Sequence, residues 1–247
     1  WLLEKSVMRN TISFYMRILR SVYNKAANQQ IIHQMFPFQK VYTGIDKTRK
    51  RAIDEDLLVR MQKLDLSSNP PLELTRDLFV FSYCTRGMTF IDMAFLRKSN
   101  IKKEIITYTR RKTKQPLSIL IEPCIRNIII RYLGRANNTS YVFPLLTSEN
   151  PERAFRQYQT ALGYYNRQLK NLAKQIEIPS HFLSSYTARH TWATTARNHN
   201  VPLSVISAGM GHSSEKTTQI YLASLESSVI DQANRGILAV LNQESSK

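Results

Sequence analysis

Residues 186–221 read YTARHTWATTARNHNVPLSVISAGMGHSSEKTTQIY, and the polar side chains of this stretch stand at helical spacing. Arg189 and His190 follow Tyr186 by three and four residues, so on a helix these three side chains share one face. Side chains of these types are costly to bury without a polar partner. The spacing therefore predicts a functional site on this helix.

The second half of the same stretch adds a histidine and a phenol. His212 follows Gly211 in a predicted tight turn, and Tyr221 lies nine residues later in a short predicted helix. An arginine fork recognises a phosphate, and a tyrosine hydroxyl is a competent nucleophile toward an electrophile that cations polarise. A phosphodiester is the natural electrophile for such a set. Because fixed cations can neutralise the developing charge, we expect neither a metal ion nor a cofactor.

Three short runs carry a family resemblance: RHTWAT at residues 189–194, GMGHSS at 209–214 and TTQIYL at 217–222. Their order and spacing resemble the C-terminal motifs of the tyrosine recombinase (phage integrase) family, in particular integrases of Bacteroidetes mobile elements. The resemblance covers roughly residues 51–243. Residues 11–31 resemble the last helix of the DNA-binding domain that precedes the catalytic domain in this family.

The resemblance implies roles for five residues. Tyr221 would attack the scissile phosphate, form a 3′-phosphotyrosyl bond and release a free 5′-hydroxyl. The 5′-hydroxyl of a second strand would then attack the phosphotyrosine and rejoin the DNA. Arg86 and Arg189 would match the two arginines that clamp the non-bridging oxygens. His212 would support the phosphate, and Lys112 would be the general acid on the leaving oxygen.

Two positions depart from the family pattern. Three residues before the second arginine the family usually has a histidine, and this chain has Tyr186, a poorer proton acceptor near neutral pH. If Asp92 is aligned with the family's acidic residue, the usual position of the first arginine falls on Thr89. Arg86 would then reach the phosphate from a displaced position, or Arg110 would compensate.

The charge balance favours a polyanionic partner. The 247-residue chain has 35 Lys+Arg against 18 Asp+Glu, a net charge of +17. Composition alone leaves an anionic membrane surface or an acidic protein partner open, and the resemblance implies double-stranded DNA. The residues that we expect to contact DNA come from two basic clusters: Arg110, Arg111, Lys114, Lys47, Arg49, Lys50 and Arg51.

Other classes of protein are disfavoured. The sequence has no apolar run of about 18 residues that would support a membrane span, and charged residues interrupt the first twenty positions, which argues against a signal peptide. Cys84 and Cys124 are 40 positions apart and support no disulfide framework or zinc site, which fits a reducing cytoplasm. We expect a bacterial, nucleoid-associated protein. The chain opens on Trp1 rather than Met, which suggests an N-terminally truncated chain.

The predicted fold class is mainly α (α+β), a tyrosine-recombinase-like helical domain with a small antiparallel β-hairpin. Strand-like runs at 104–110 and 117–121 flank a basic tip at 111–115. Apolar periodicity predicts helices at 11–31, with Asn10 as N-cap, and at 53–63, 71–84, 90–96, 123–133, 151–176, 186–198, 203–209 and 215–222. Asn150 is the expected N-cap of the helix at 151–176, with Pro151 as its first residue. We expect three parts: a remnant of a DNA-binding domain (1–36), a linker (37–50) and a catalytic domain (51–247).

A last amphipathic helix is predicted at about 225–242. It can fold back on its own core or, as in the family, dock on a neighbouring protomer of a tetramer on DNA; the free protein can be monomeric. Accessory DNA-bending or directionality proteins are further partners that the resemblance allows. Two other functions stay open: type IB topoisomerase-like cleavage, and a catalytically impaired DNA-binding regulator of the same fold.

Overall fold

The computed structural model describes residues 1–46, 52–136 and 139–222, with backbone alone at 220–222. The predicted helix at 225–242 therefore lies outside the described residues. The chain divides into two compact units, residues 1–49 and 50–247, and each is described by itself.

The first unit is built on helix α1 (Arg9–Asn28). The prediction that Asn10 caps this helix is wrong, because the helix begins after Met8 and has no side-chain cap. The Asn10 amide instead exchanges two hydrogen bonds with the backbone of Asp46, at 3.0 and 2.7 Å. Ser13 donates to the carbonyl of Gly44, so the segment after the helix runs back along its first turns.

The described residues of the second unit contain eight α-helices and three β-strands. In chain order these are α2 (Glu55–Lys63), α3 (Pro70–Cys84), α4 (Phe90–Ala94), β1 (Ile101–Lys102), β2 (Ile105–Thr109), β3 (Pro116–Leu120), α5 (Pro123–Leu133), α6 (Pro151–Gln175), α7 (Thr187–Asn198), α8 (Leu203–Gly209) and α9 (Glu215–Leu222). The predicted Asn150 cap of α6 is confirmed, since its side chain accepts from two amides of the first turn. The mainly helical fold with one small antiparallel sheet is confirmed.

The sheet has the order β1-β2-β3, with both pairs antiparallel. Along β2, Ile106 and Tyr108 face the core while Ile105, Thr107 and Thr109 face outward, which is the period of two that predicted the hairpin. The two-residue strand β1 was not predicted, because two residues are too few to show any periodicity.

Helix α3 is the centre of the second unit and packs against α2, α5, α6 and α7. Leu78, Phe79 and Phe81 are at most 1% exposed, which explains why this helix is apolar nearly all round. Phe81 meets the ring of Phe143 edge to face, with the ring centroids 4.9 Å apart. Neighbours on several sides hold α3 in place, so the turn at its C-terminal end is a firm platform for a site.

One carboxylate joins α3 to α5. Asp77 is 4% exposed and accepts hydrogen bonds from Arg76 Nε (2.8 Å), Arg131 Nη1 (2.6 Å) and the Tyr132 hydroxyl (2.8 Å). Three donors on one buried carboxylate offset part of the cost of removing its charge from water. The network fixes the register of the two helices.

No helix in the described part of the chain combines the length and the apolar character that crossing a membrane requires.

Candidate active site

Arg189, on α7, is 3% exposed and is held by two turns that come from distant parts of the chain. Its Nη1 donates to the carbonyl of Gly87 (2.7 Å), and its Nη2 donates to the carbonyl of Met210 (2.7 Å) and to His212 Nε2 (3.0 Å). The turn after α3 and the turn after α8 therefore meet at one guanidinium group.

His212 occupies a defined tautomer. A guanidinium only donates hydrogen bonds, so Nε2 of His212 accepts from Arg189, and the ring proton lies on Nδ1, which donates to Thr218 Oγ1 at 2.7 Å. Burial, the largest cause, and the positive charges of Arg189, Arg110 and Lys112 together lower the pKa of His212 to about 4. His212 is thus a neutral partner that orients Arg189.

Thr218 connects this pair to the helix of the expected nucleophile. It is fully buried and lies on α9, which carries Tyr221 three residues further on. Sequence reasoning missed Thr218 because a threonine in a short helix is ordinarily a solvated or packing residue. A continuous chain of contacts therefore runs from Arg189 through His212 to the backbone of α9; of Tyr221 itself the structure describes only the backbone.

The turn after α3 has an unusual backbone. Arg86 and Gly87 both have positive φ, +59° and +74°, and a non-glycine residue in this region is uncommon. A Cβ at Gly87 would lie 2.7 Å from Cγ and 2.9 Å from Cα of Arg189, so only glycine allows the two segments to approach this closely. The side chain of Arg86 is half-buried.

Tyr108 is a buried tyrosine whose phenol is subject to the charges of three arginines. It lies on β2 and is 8% exposed; burial and the carboxylate of Asp92 raise the pKa of its phenol, and the charges of Arg189, Arg110 and Arg86 act in the opposite direction. The charges of three guanidinium groups therefore act on this one phenol. Tyr108 gave no signal in the sequence beyond a strand-like aromatic.

The hairpin tip is fastened to the same cluster. Arg110 is 5% exposed, and its Nη1 donates to the carbonyl of Gly211 (2.6 Å), which also accepts from Thr113 Oγ1 (3.1 Å). On the other side, Asp92 accepts from the backbone amide of Arg111 at 2.9 Å. Lys112 lies between these anchored residues and is itself exposed.

The remaining predicted residues lie further out. Arg111 and Lys114 are exposed, and the guanidinium of Arg111 stacks 3.9 Å from the ring centre of Phe95. Tyr186 precedes α7 and is 48% exposed, so the structure leaves its side chain outside the buried cluster. Arg110, expected on the DNA-binding surface, is buried instead. Four predicted DNA contacts lie outside the described residues: Lys47, Arg49, Lys50 and Arg51.

Among the residues that the structure describes, no three side chains of the types that bind metals best (His, Cys, Asp, Glu) lie close enough together to hold an ion. The groups of the site that can face a ligand are guanidinium groups and the ammonium group of Lys112, because both ring nitrogens of His212 are engaged by Arg189 and Thr218. Such a set suits a phosphate.

The sequence profile of the phage integrase family matches residues 67–228, more than half of the chain. The chain belongs to this family, the tyrosine recombinases, and is a site-specific recombinase. A comparison with curated protein sequences finds no match.

Solved structures of recombinases share the fold. The XerH site-specific recombinase bound to palindromic difH substrate is 13% identical with a TM-score of 0.70, covering 93% of this chain and 68% of that one. The Tn1549 transposon integrase in complex with transposon right end DNA is 18% identical (TM-score 0.67; 96% and 82% covered). A lambda integrase tetramer bound to a Holliday junction is 12% identical (TM-score 0.60; 83% and 57% covered).

Proposed function

We propose that this recombinase cleaves and rejoins double-stranded DNA through a covalent bond between Tyr221 and a 3′ phosphate. The observation that carries the proposal is the chain of contacts from Arg189 through His212 to Thr218, on the helix of Tyr221. These contacts would hold a phosphate bound at Arg189 in a fixed position relative to the backbone of Tyr221.

The reaction has two balanced steps. In the first, Tyr221 releases its phenol proton to water as its oxygen bonds to phosphorus, the bond from phosphorus to the 5′ oxygen breaks, and Lys112 gives that oxygen a proton. In the second, a 5′-hydroxyl gives its proton to Lys112 as it attacks the phosphotyrosine, and Tyr221 leaves with its electron pair and takes a proton from water. One phosphodiester is consumed and one is made, so no ATP is required.

The arginine cluster supplies the positive charge that the transition state needs. Arg189 and Arg86 are proposed to bind the two non-bridging oxygens, and the positive φ of Arg86 fits a backbone held for a function rather than for stability. Because these cations are fixed before the substrate arrives, the mechanism is proposed to be independent of metal ions. Tyr186, exposed at the start of α7, is proposed to donate a hydrogen bond to the phosphate.

DNA is proposed to lie across the exposed part of the hairpin tip, where Arg111 and Lys114 would contact the backbone. Arg110 acts on the substrate through its charge and through Gly211. The residues around the linker, at positions 47–51, are proposed as further contacts, and residues 1–36 as the end of a DNA-binding domain. The proposed setting is the nucleoid in the cytoplasm of a bacterium, with a mobile element of the Bacteroidetes group as the source of the gene.

The proposed assembly on DNA is a tetramer, which is supported by lambda integrase, a protein of similar fold that is seen as a dimer on a core site and as a tetramer on a Holliday junction. A groove of about 940 Å³ on the second unit offers a docking place for the C-terminal segment 225–242 of a neighbouring copy. Its lining is mainly apolar and comes from the ends of α3 and α8, the start of β3 and the face of α7, including Leu117, Trp192 and Val205. The apolar stripe of residues 225–242 complements that lining.

The proposal is tested by covalent capture in the presence of EDTA. The probe is a pool of nicked duplexes with a randomised segment around the nick, so that the short 5′-hydroxyl strand diffuses away after cleavage. We expect wild-type protein to form adducts that survive denaturation, and Tyr221→Phe to form none. Sequencing the captured strands gives a selected duplex for later experiments.

Each other outcome has a meaning. DNA retention without any adduct would overturn the enzymatic proposal in favour of a DNA-binding regulator, and adducts that vanish in EDTA would overturn the metal-free mechanism. Two selected duplexes with different labels then separate recombination from topoisomerase-like cleavage. Relaxation of a supercoiled plasmid that carries the site, without exchange of labels, would favour the latter.

A further inference from the structure

The hairpin tip at residues 110–115 is held from two sides, and the proposed proton donor lies between the points of attachment. Asp92 accepts from the amide of Arg111, and the carbonyl of Gly211 accepts from the side chains of Arg110 and Thr113. Lys112 is flanked by Arg111 and Thr113 and is exposed. Its ammonium group stands at the end of a flexible four-carbon side chain. The position of its backbone therefore decides where the ammonium group can reach.

Thr113 is the attachment that involves no charge. Arg110 also acts electrostatically on His212 and Tyr108, so replacing it would change the field of the whole site. Thr113 is a half-buried, neutral residue, and its hydroxyl meets the backbone carbonyl of the residue directly before His212, at 3.1 Å. This hydrogen bond attaches the hairpin tip to the same turn that binds the Arg189 side chain through Met210 and His212.

We propose that Thr113 is a positioning residue for proton transfer: its hydrogen bond to Gly211 holds the hairpin tip so that Lys112 reaches the leaving 5′ oxygen. The inference rests on the proposed role of Lys112 as general acid. It predicts a defect confined to the protonation of the leaving group, with phosphate binding and the attack of Tyr221 unaffected.

The chemistry of the leaving group provides a readout that a general structural defect would not move. An alkoxide is a poor leaving group because the pKa of an alcohol lies far above that of a thiol, which is about 8.5. In DNA with sulfur in place of the bridging 5′ oxygen, Tyr221 still bonds to phosphorus, and the phosphorus–sulfur bond breaks with the electron pair leaving as thiolate. This step needs no proton donor.

The experiment measures the rate of adduct formation on the selected duplex in its oxygen and sulfur forms. Thr113→Val should be about 10- to 100-fold slower than wild type on oxygen and indistinguishable from it on sulfur. Thr113→Ser keeps the hydroxyl and should behave as wild type on both. Thr107→Val, at an exposed position of the same hairpin, is the matched control and should also behave as wild type. Thr113→Ala replaces the valine variant if the latter fails to fold.

Lys112→Ala separates a failure of the inference from a failure of the proposed function. If sulfur does not rescue Lys112→Ala, Lys112 is not the general acid, and the inference falls with it. If sulfur rescues Lys112→Ala while Thr113→Val is equally slow on both duplexes, or is not slowed on oxygen, then the assignment of Thr113 is overturned and the role of Lys112 stands.

Discussion

His212 is a histidine that the fold keeps uncharged. His212 is 9% exposed and is subject to the charges of the buried Arg189 and Arg110 and of the exposed Lys112, so a proton on Nε2 would add a further positive charge to a buried cationic site. The lone pair of Nε2 is needed instead to accept from Arg189. At the scale of this residue, the site depends on a neutral base that orders a cation.

The stability of the protein should therefore fall as the pH is lowered from 7 to 5. The pKa of His212 is about 4 in the folded protein and about 6.5 in the unfolded chain, so between these values the unfolded state binds more protons. The stabilisation is present above pH 6.5 and is lost as the pH falls toward 4. We expect a loss on the order of 2 kcal/mol from this group at pH 5.

Urea unfolding at pH 7 and pH 5 measures this effect, with His212→Gln as the comparison. Glutamine carries no titratable group, so the difference between the two pH values should be smaller in the variant by about the contribution of His212. Equal pH dependence in the two proteins would contradict the depressed pKa. All other ionisable groups are the same in the two proteins, so their contribution to the pH dependence of the unfolding free energy cancels in the comparison.

At the scale of elements, the joint between α3 and α5 is the place where one side chain holds two helices together. Replacing Asp77 by Asn removes the nearer charge that Arg76 and Arg131 face, and leaves the buried guanidinium of Arg76 with the more distant carboxylate of Glu73, at 3.9 Å. We expect Asp77→Asn to lower the free energy of unfolding by about 3 kcal/mol. The measurement is urea unfolding at pH 7.

The matched control for Asp77 is an exposed ion pair of the same kind. Arg97 and Glu149 approach to 2.8 Å, but their side chains are 46% and 54% exposed. Glu149→Gln should therefore cost less than about 1 kcal/mol, because water screens an exposed pair. Similar losses in the two variants would show that burial does not set the value of the Asp77 contacts.

The same scale shows what the sequence can and cannot predict. Helices such as α5 and α6 show clear apolar periodicity or a cap and were predicted to within a residue or two. The Asn10 cap failed because a tertiary contact with Asp46 competes for that side chain. Local patterns report on neighbours in the chain, and they say little about partners far along it.

The candidate site divides in the same way. Arg189, His212 and Tyr221 stand in motifs, so spacing and residue type point to them. Tyr108 and Thr218 take their roles from contacts that only the folded chain creates: Tyr108 stands in no motif, and the run TTQIYL that contains Thr218 pointed to Tyr221 instead. Residues that are proposed to act on the substrate therefore leave a clearer signal in the sequence than residues that hold them in place.

At the scale of the whole molecule, the net charge of +17 sets the expected mode of DNA binding. The buried arginines are already bonded to backbone carbonyls, whereas lysines and arginines on the surface are free to displace the counterions of DNA. A binding free energy that comes mainly from phosphate contacts is sequence-independent. It also depends strongly on the concentration of salt.

We expect the affinity for the selected duplex to fall by about 10³-fold or more between 50 and 200 mM salt, as for six or more phosphate contacts. Fluorescence anisotropy of Tyr221→Phe, which binds without cleaving, measures this directly.

Lys114→Gln removes one exposed charge at the hairpin tip and should lower the slope of log affinity against log salt by about one. Lys63→Gln, at the exposed end of α2, is the control for the loss of a charge outside the proposed DNA path. If the affinity does not change with the salt concentration, phosphate contacts do not dominate the binding free energy. If Lys114→Gln and Lys63→Gln lower the slope of log affinity against log salt equally, the net charge of the protein rather than the hairpin tip governs binding.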